Sequence, residues 1–322
     1  MTNFLHKLRA WADAAAMLSS CATVLACVSG GADSTAMLHA LLALAPQYKY
    51  RVAAAHFDHR LRGAESDRDR EFTAELCGKL NVPCRVGHGD TRGYARERGL
   101  GVEEAARELR YAFFREVAAE IGGGVNIATA HNADDNAETM LLNLARGAGT
   151  RGLAGIPPVR GNVVRPMLCF TRAEIERYLA GNDLPYTVDS TNAEYDYARN
   201  KIRGLVMPVL RDINARISEH ALAASRLLRE DDEYITEHAR AFIADNRTEG
   251  GVPARAFAAL PRPVAARVIA ELSGVRLPMA RIAEIYELCG DTAGVKSLDL
   301  PGTMAVRARN VLKFLPPRPP RR

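Results

Sequence analysis

Cys27-Val28-Ser29-Gly30-Gly31-Ala32-Asp33-Ser34-Thr35 joins an apolar run at residues 24–28 to a segment of helical spacing at residues 34–44. The run reads as a strand and the segment as a helix. Between them, two glycines permit positive φ and a close backbone approach to a ligand. Ser29 and Ser34 offer hydroxyl donors, and the helix start presents unpaired N–H groups. A loop of that composition suits an anion. It lacks the G-K-[ST] ending of a Walker A loop and the G-x-G-x-x-G of a dinucleotide site. Asp33 would repel phosphate oxygens unless a divalent cation bridges them, so the loop is read as a site for a metal–pyrophosphate complex. The competing reading is a Gly-Gly turn with a serine cap.

Outward from that loop, 322 residues suffice for two domains, and a composition 48% hydrophobic and 25% charged is that of a soluble globular chain. No apolar run has the length of a membrane span, and the first ten residues lack the apolar core of a signal peptide, so no membrane association and a cytoplasmic location are expected. The six cysteines include no C-x-x-C pair and are read as reduced, mostly buried thiols. The formal charge of +5, carried overwhelmingly by arginine, suits a polyanionic partner. The proline- and arginine-rich stretch 316–322 is read as a tail outside the fold.

Up to about residue 190, strand-like runs alternate with helical patterns, which implies an α/β fold with a doubly wound, mostly parallel sheet covered on both faces. Strands are expected at 24–28, 51–57, 83–86, 125–130 and 163–165. In the helix expected at 103–121, Leu109, Phe113, Val117 and Ile121 form an inward ridge, with Arg107, Arg110 and Phe114 on another face. From residue 199 the strand signals fade. A basic helix at 199–210 leads into amphipathic helices at 215–247, 263–273 and 278–290, and then a hairpin of 296–300 and 304–314 around Pro301-Gly302. The domains are accordingly 1–214, carrying the loop, and 215–322, smaller and mainly helical with a short hairpin.

Ligands in such sheets sit beyond the carboxyl ends of the strands near the switch in strand order. One candidate there is His131-Asn132-Ala133-Asp134-Asp135-Asn136-Ala137-Glu138, where helical spacing brings Glu138 beside Asp134 and Asp135. The bland account is an acidic first turn with Asp134 as cap. Mutual repulsion of three acids favours a cation there instead, whether a metal, an amine or both. Residues 147–153 supply a glycine loop with Arg151, preceded by Arg146, as a lid or a surface turn. In His56-Phe57-Asp58-His59-Arg60, no third ligand stands at zinc spacing and the arginines oppose a dication, leaving contacts with a base, a phosphate or a flanking helix. Asp189-Ser190-Thr191-Asn192 precedes a stretch where Arg199, Lys201 and Arg203 alternate with tyrosines and asparagine. It reads either as a solvated junction or as a nucleic-acid contact combining phosphate clamps with stacking.

The S-G-G-A-D-S loop resembles the signature of the N-type ATP pyrophosphatases. Together with HFDHRLR, AHNADDNAET followed by RGAGTRGLAGIPP, DSTN, and ARNKIR, in that order, it resembles the tRNA(Ile)-lysidine synthase family. Asn132 and Asn136 stand where His and Gln are often found. The resemblance implies an adenine nucleotide alpha hydrolase-like fold and a ligase that uses ATP and Mg²⁺. That ligase adenylates the wobble cytidine of a CAU-anticodon isoleucine tRNA, after which free L-lysine displaces AMP. Carried onto this chain, it implies that Ser29, Gly30, Gly31, Ala32, Asp33, Ser34 and His56 bind the nucleotide, with Asp33 and Asp134 on the metal. Asp33, Asp134, Asp135 and Glu138 become the catalytic carboxylates. Arg107, Arg110 and Glu138 take lysine, while Arg146, Arg199, Lys201 and Arg203 meet tRNA. A homodimer stays open. Two alternatives remain: a related pyrophosphatase adenylating another tRNA base or a small molecule, and a nucleotide sensor without catalysis.

Overall fold

The computed structural model describes residues 3–19, 21–61, 63–188, 198–275, 277–290 and 294–317. The motif Asp189-Ser190-Thr191-Asn192, Arg62 and the last five residues lie outside them. The chain forms two compact units, Met1–Arg226 and Leu227–Arg322. The division falls inside a 30-residue helix, Ile217–Asn246, whereas the sequence reading put it ahead of that helix. The first turns of the helix belong to the first unit because Ser218 donates to Asp134 Oδ1 and Ser225 donates to the Ala154 carbonyl.

In chain order the first unit comprises α1 (Asn3–Ala14), β1 (Thr23–Cys27), α2 (Ala32–Tyr48), β2 (Arg51–Asp58), α3 (Ala64–Lys79), β3 (Cys84–His88), α4 (Thr91–Arg98), α5 (Val102–Ile121), β4 (Val125–Ala128), α6 (Ala133–Ala145) and α7 (Thr150–Leu153). It continues with β5 (Val159–Arg160), β6 (Val163–Val164), a 3₁₀ turn at Pro166–Cys169, α8 (Arg172–Ala180), α9 (Ala198–Lys201), a π turn at Ile202–Val206, α10 (Met207–Ile213) and the start of α11 (Ile217–Asn246). The sheet order is β3-β2-β1-β4-β6-β5, parallel except where β5 runs antiparallel to β6. This is the expected doubly wound α/β sheet.

All five residues of β1 are buried, as a central parallel strand needs. Alternation sorts them. Val24, Ala26 and Val28 enter one core with Leu8, Met37, Leu41, Phe170 and Leu179. Leu25 and Cys27 enter the other with Ala55, Ile127, Phe114 and Val117. Phe114 therefore lies in the core at 4% exposed, whereas the inward ridge was expected to run through Phe113 and leave Phe114 on another face of α5. The buried stripe runs through Ala105, Phe114, Val117 and Ala118, and Phe113 and Ile121 pack at its margin. Both phenylalanines are apolar, so residue type alone could not settle which of the adjacent pair faces inward.

Because β1 pairs with β2 on one side and β4 on the other, the chain leaves β1 in opposite directions across the sheet. The crevice between the carboxyl ends of β1 and β4 is the switch point.

The second unit contains the rest of α11, β7 (Val252–Pro253), α12 (Ala254–Ala258), α13 (Arg262–Ser273), α14 (Met279–Gly290), β8 (Lys296–Leu300), β9 (Thr303–Ala308) and β10 (Val311–Leu315). Its sheet, β7-β10-β9-β8, is antiparallel and packs around Phe257, Val268, Ile269, Ile285, Ala305 and Leu312. The segment expected as one strand, 304–314, is two. Arg309 and Asn310 at φ 49° and 64° make a tight turn there with no glycine to announce it. No helix among the described residues is long and apolar enough to cross a membrane. All six cysteines are free, and Cys27, Cys77, Cys169 and Cys289 are buried.

Candidate active site

The loop between β1 and α2 is held by its own side chains. Ser34 Oγ accepts from the Ser29 N–H at 3.1 Å and donates to the Gly31 carbonyl at 3.0 Å, and Thr35 Oγ1 donates to the Gly30 carbonyl at 3.2 Å. Thr187 N–H donates to the same carbonyl at 2.9 Å. Only Gly30 takes positive φ, at 89°, where a Cβ would stand 3.0 Å from Thr187 Oγ1. Gly31 caps α2 from extended backbone at φ −71°; its lack of a side chain leaves the first-turn N–H groups uncapped and open to an anion. Ser34 is thus a brace of the loop, while Ser29 is exposed.

His56, near the end of β2, is 5% exposed, and its Nδ1–H donates to the Val28 carbonyl at 2.9 Å. Burial lowers its pKa, so the ring is a neutral prop under the loop.

Asp33 is tied to two other elements. Its Oδ1 accepts from Asn132 Nδ2 at 3.2 Å and its Oδ2 from Arg172 Nη1 at 2.9 Å. Burial raises the Asp33 carboxyl above its ordinary pKa; Arg172 pulls it back, and the Asp135 carboxylate pushes with burial. Asn132, and not Asp134, caps α6: its side chain accepts from Asp135 N–H while Asp135 Oδ2 accepts from Asn132 N–H. One asparagine therefore fixes the start of α6 against the loop.

The three acids of α6 do not crowd one spot. Asp134 faces α8, α10 and α11, where its Oδ2 accepts from Arg172 N–H at 2.7 Å and its Oδ1 from Arg211 Nη2 at 2.9 Å and Ser218 Oγ at 2.5 Å. Burial raises its pKa, but these donors outweigh it and the carboxyl lies below the ordinary value. Asp135 and Glu138 face α9 and the π turn. Glu138, 1% exposed, accepts from Arg199 Nε at 3.0 Å and from Arg203 Nε at 2.7 Å and Nη2 at 2.9 Å. Asp135 Oδ1 accepts from Arg199 Nη2 at 3.1 Å and Arg203 Nη2 at 3.0 Å. The cation expected beside these acids is supplied by the chain's own guanidiniums.

Asp33 and Asp134, the expected metal pair, are joined by Arg172, which gives its guanidinium to one and its backbone N–H to the other. Among the described residues, no group of three His, Cys, Asp or Glu side chains is arranged to hold a metal ion. Arg172 was not anticipated from sequence. Its signal is the capping box Thr171-Arg172-Ala173-Glu174, which marks a helix start aimed at the crevice.

On the other side of the crevice, Arg107 and Arg110 stand 4.8 and 5.9 Å from the Tyr111 ring. Burial lowers the Arg110 pKa, with Arg107 and Arg199 acting the same way. His131 follows β4, its Nδ1 3.1 Å from Thr129 Oγ1. Burial, then Arg165, Arg199, Arg110 and Arg107, hold it well below the usual histidine pKa. Arg146 and Lys201 are exposed, and residues 150–153 form the helical turn α7.

Residues 3–210 match the family model of a PP-loop domain. The chain is 43% identical over 256 residues to the tRNA(Ile)-lysidine synthase of Parabacteroides distasonis, covering 77% of this chain and 56% of that protein. It is 35% identical over 317 residues to that of Geobacillus kaustophilus, covering 94% of this chain and 68% of the relative. For that of Bacillus subtilis the figures are 37% over 255 residues, 76% and 54%. The chain thus spans between about half and two thirds of the length of these relatives. Among solved structures, the U34-tRNA thiolase NcsA of Methanococcus maripaludis superposes with a TM-score of 0.58 at 17% identity, covering 70% of this chain and 78% of that one, a likeness of fold.

Proposed function

Because this chain belongs to the PP-loop family and, within it, to the tRNA(Ile)-lysidine synthases, we propose that it uses ATP to join lysine to C2 of the wobble cytidine in a CAU-anticodon isoleucine tRNA. The observation that carries the reading is a single contact. Asn132 binds Asp33 of the anion loop and caps the helix that bears Asp135 and Glu138. A triphosphate site and a cation-holding acidic face therefore share one edge of the sheet.

In the first step the cytidine O2 attacks the α-phosphorus of ATP, the bond from that phosphorus to the bridging oxygen breaks, and pyrophosphate leaves. In the second, a lysine amine attacks C2, the C2–O2 bond breaks, AMP departs with the oxygen, and the amine loses a proton. The uncapped N–H groups of α2 and the Ser29 hydroxyl hold the phosphates, with Gly30 and Gly31 allowing their approach. His56 and Ser34 hold the loop in shape.

For Mg²⁺ the donor set fits at Asp33, whose oxygens accept one hydrogen bond each, from Asn132 and Arg172, and whose charge burial disfavours despite them. As placed, Asp134 accepts three hydrogen bonds, two of them on Oδ1, and does not fit. Bound with the nucleotide, the ion supplies neutralisation of the departing pyrophosphate.

Glu138 and Asp135 receive the lysine amine and take up its proton, with Arg107 and Arg110 near its carboxylate. Arg199 and Arg203 now occupy those acids. Anticodon-loop phosphates compete for the same guanidiniums, so tRNA binding frees the acids for lysine. Arg146 and Lys201, exposed, add phosphate contacts. tRNA, ATP and lysine meet in the cytoplasm, which is the compartment the reading requires.

Incubation with ATP, labelled lysine and total tRNA tests the proposal. Label retained on an isoleucine acceptor supports it; ATP cleavage to AMP without label on any tRNA points to a different substrate.

A further inference from the structure

Three helix starts meet at the crevice: α2 begins at Ala32, α6 at Ala133 and α8 at Arg172. The last two are locked together, since Ala133 N–H donates to the Phe170 carbonyl at 2.7 Å and Arg172 N–H donates to Asp134 Oδ2 at 2.7 Å. The backbone of Arg172 is thereby fixed. Its side chain, 42% exposed, is held only by two carboxylates that are themselves partly exposed. Nη1 donates to Asp33 Oδ2 at 2.9 Å and Nε to Glu176 Oε1 at 2.7 Å, while Nη2 has no partner among the described residues.

The anion loop carries no cation of its own. Residues 29–35 are serine, glycine, alanine, aspartate and threonine, yet a pyrophosphate leaving from that loop accumulates negative charge that fixed donors have to meet. Asp33 lies in the first turn of α2, directly past the glycines, so the guanidinium bonded to it stands beside the uncapped N–H groups. Ion pairs this exposed are worth little and are readily exchanged. With a divalent cation on Asp33, Arg172 is repelled from the aspartate by like charge, and the nearest anion left to it is the phosphate chain. A planar fork with one nitrogen already unfilled suits paired phosphate oxygens.

We propose that Arg172 is a catalytic residue of adenylyl transfer. It leaves Asp33 and donates to the β- and γ-phosphate oxygens of ATP. There it stabilises the pyrophosphate as the bond from the α-phosphorus to the bridging oxygen breaks and the electron pair stays with the leaving group. This rests on the ATP reading given above and adds to it a side chain from α8, outside the loop.

Titration calorimetry of the full chain at saturating Mg²⁺ tests it, with ATP and AMP as ligands for the unmodified chain, Arg172→Gln and Arg172→Lys. AMP lacks the phosphates that Arg172 would touch. ATP affinity should fall about tenfold or more in Arg172→Gln, as for a lost charge-assisted contact, and recover in part in Arg172→Lys. AMP affinity should hold within about twofold in both. An arginine acting only through Asp33 gives the opposite sign, because its removal strengthens the aspartate's hold on the metal. ATP affinity that is unchanged or higher in Arg172→Gln therefore overturns the proposal. An equal fall for AMP also overturns it, since Arg172 would then be a brace of the loop. If the unmodified chain binds no ATP, the ATP reading itself fails, and this inference with it.

Discussion

Arg203 donates from Nε to Glu138 Oε1 across 2.7 Å, and its Nη2 reaches both Glu138 Oε2 and Asp135 Oδ1. The pairing ties the π turn at Ile202–Val206 to α6 and gives a buried carboxylate the counter-charge it needs. A π turn inserts one residue into the helical register, and such turns are frequent at functional sites. Here it carries Arg203, one of the two cations on the acids of α6.

The first prediction concerns that pair. Glu138→Gln leaves two guanidiniums short of an acceptor and should destabilise the first unit by about 1–3 kcal/mol, discounted because the arginines are partly exposed. A double-mutant cycle with Arg203→Gln, read by urea unfolding, should give a coupling of about 1–2 kcal/mol. Additive single effects would mean the pair contributes nothing.

Gly30→Ala should weaken ATP binding at least about tenfold and lower stability by about 1 kcal/mol or more, because φ 89° is strained for alanine and Thr187 blocks the new methyl. Gly31→Ala, at an ordinary φ and with its new Cβ at an ordinary 3.6 Å from Ser29 Oγ, should leave stability nearly unchanged. Thermal melts and nucleotide titration of the two variants distinguish them.

Two aspartates should respond oppositely to pH. The Asp33 carboxyl is raised on folding, so the folded state binds its proton more tightly. Its ionisation therefore subtracts stability as pH climbs through and beyond the ordinary aspartate range. Asp33→Asn should raise the melting temperature slightly at neutral pH, an advantage that fades in acid, while abolishing pyrophosphate release. The Asp134 carboxyl is lowered, so its contribution is full above the ordinary range and is lost as pH falls through the lowered folded value. Asp134→Ala should be destabilising at pH 7 and progressively less so in acid. Melting curves of both variants across pH check the signs.

Lys201→Ala and Arg146→Ala should each flatten the salt dependence of tRNA binding by roughly 0.7–0.9 in log–log slope, the share of one phosphate contact. Filter binding at graded salt measures it. An unchanged slope would return these exposed side chains to solvent.

Much of the fold is legible in the sequence. The run 24–28 is uniformly apolar and the loop after it is rich in glycine and hydroxyls, so strand, turn and helix are specified locally. The acids of α6 were legible as a group, but their division was not: Asp134 turns one way and Asp135 and Glu138 the other because partners distant in sequence, Arg172, Arg211, Arg199 and Arg203, pull them apart. Arg172 escaped notice because only packing of α8 against α2 brings it to Asp33. Arg309-Asn310 escaped because non-glycine residues rarely announce a left-handed turn.

The central claim, that the chain transfers an adenylyl group to tRNA before lysine enters, is tested most directly by ATP labelled in its α-phosphate, supplied with CAU-anticodon isoleucine tRNA and no lysine. Label should accumulate on the tRNA and be discharged as AMP when lysine is added. Label that never reaches the tRNA, although ATP binds, would contradict the account.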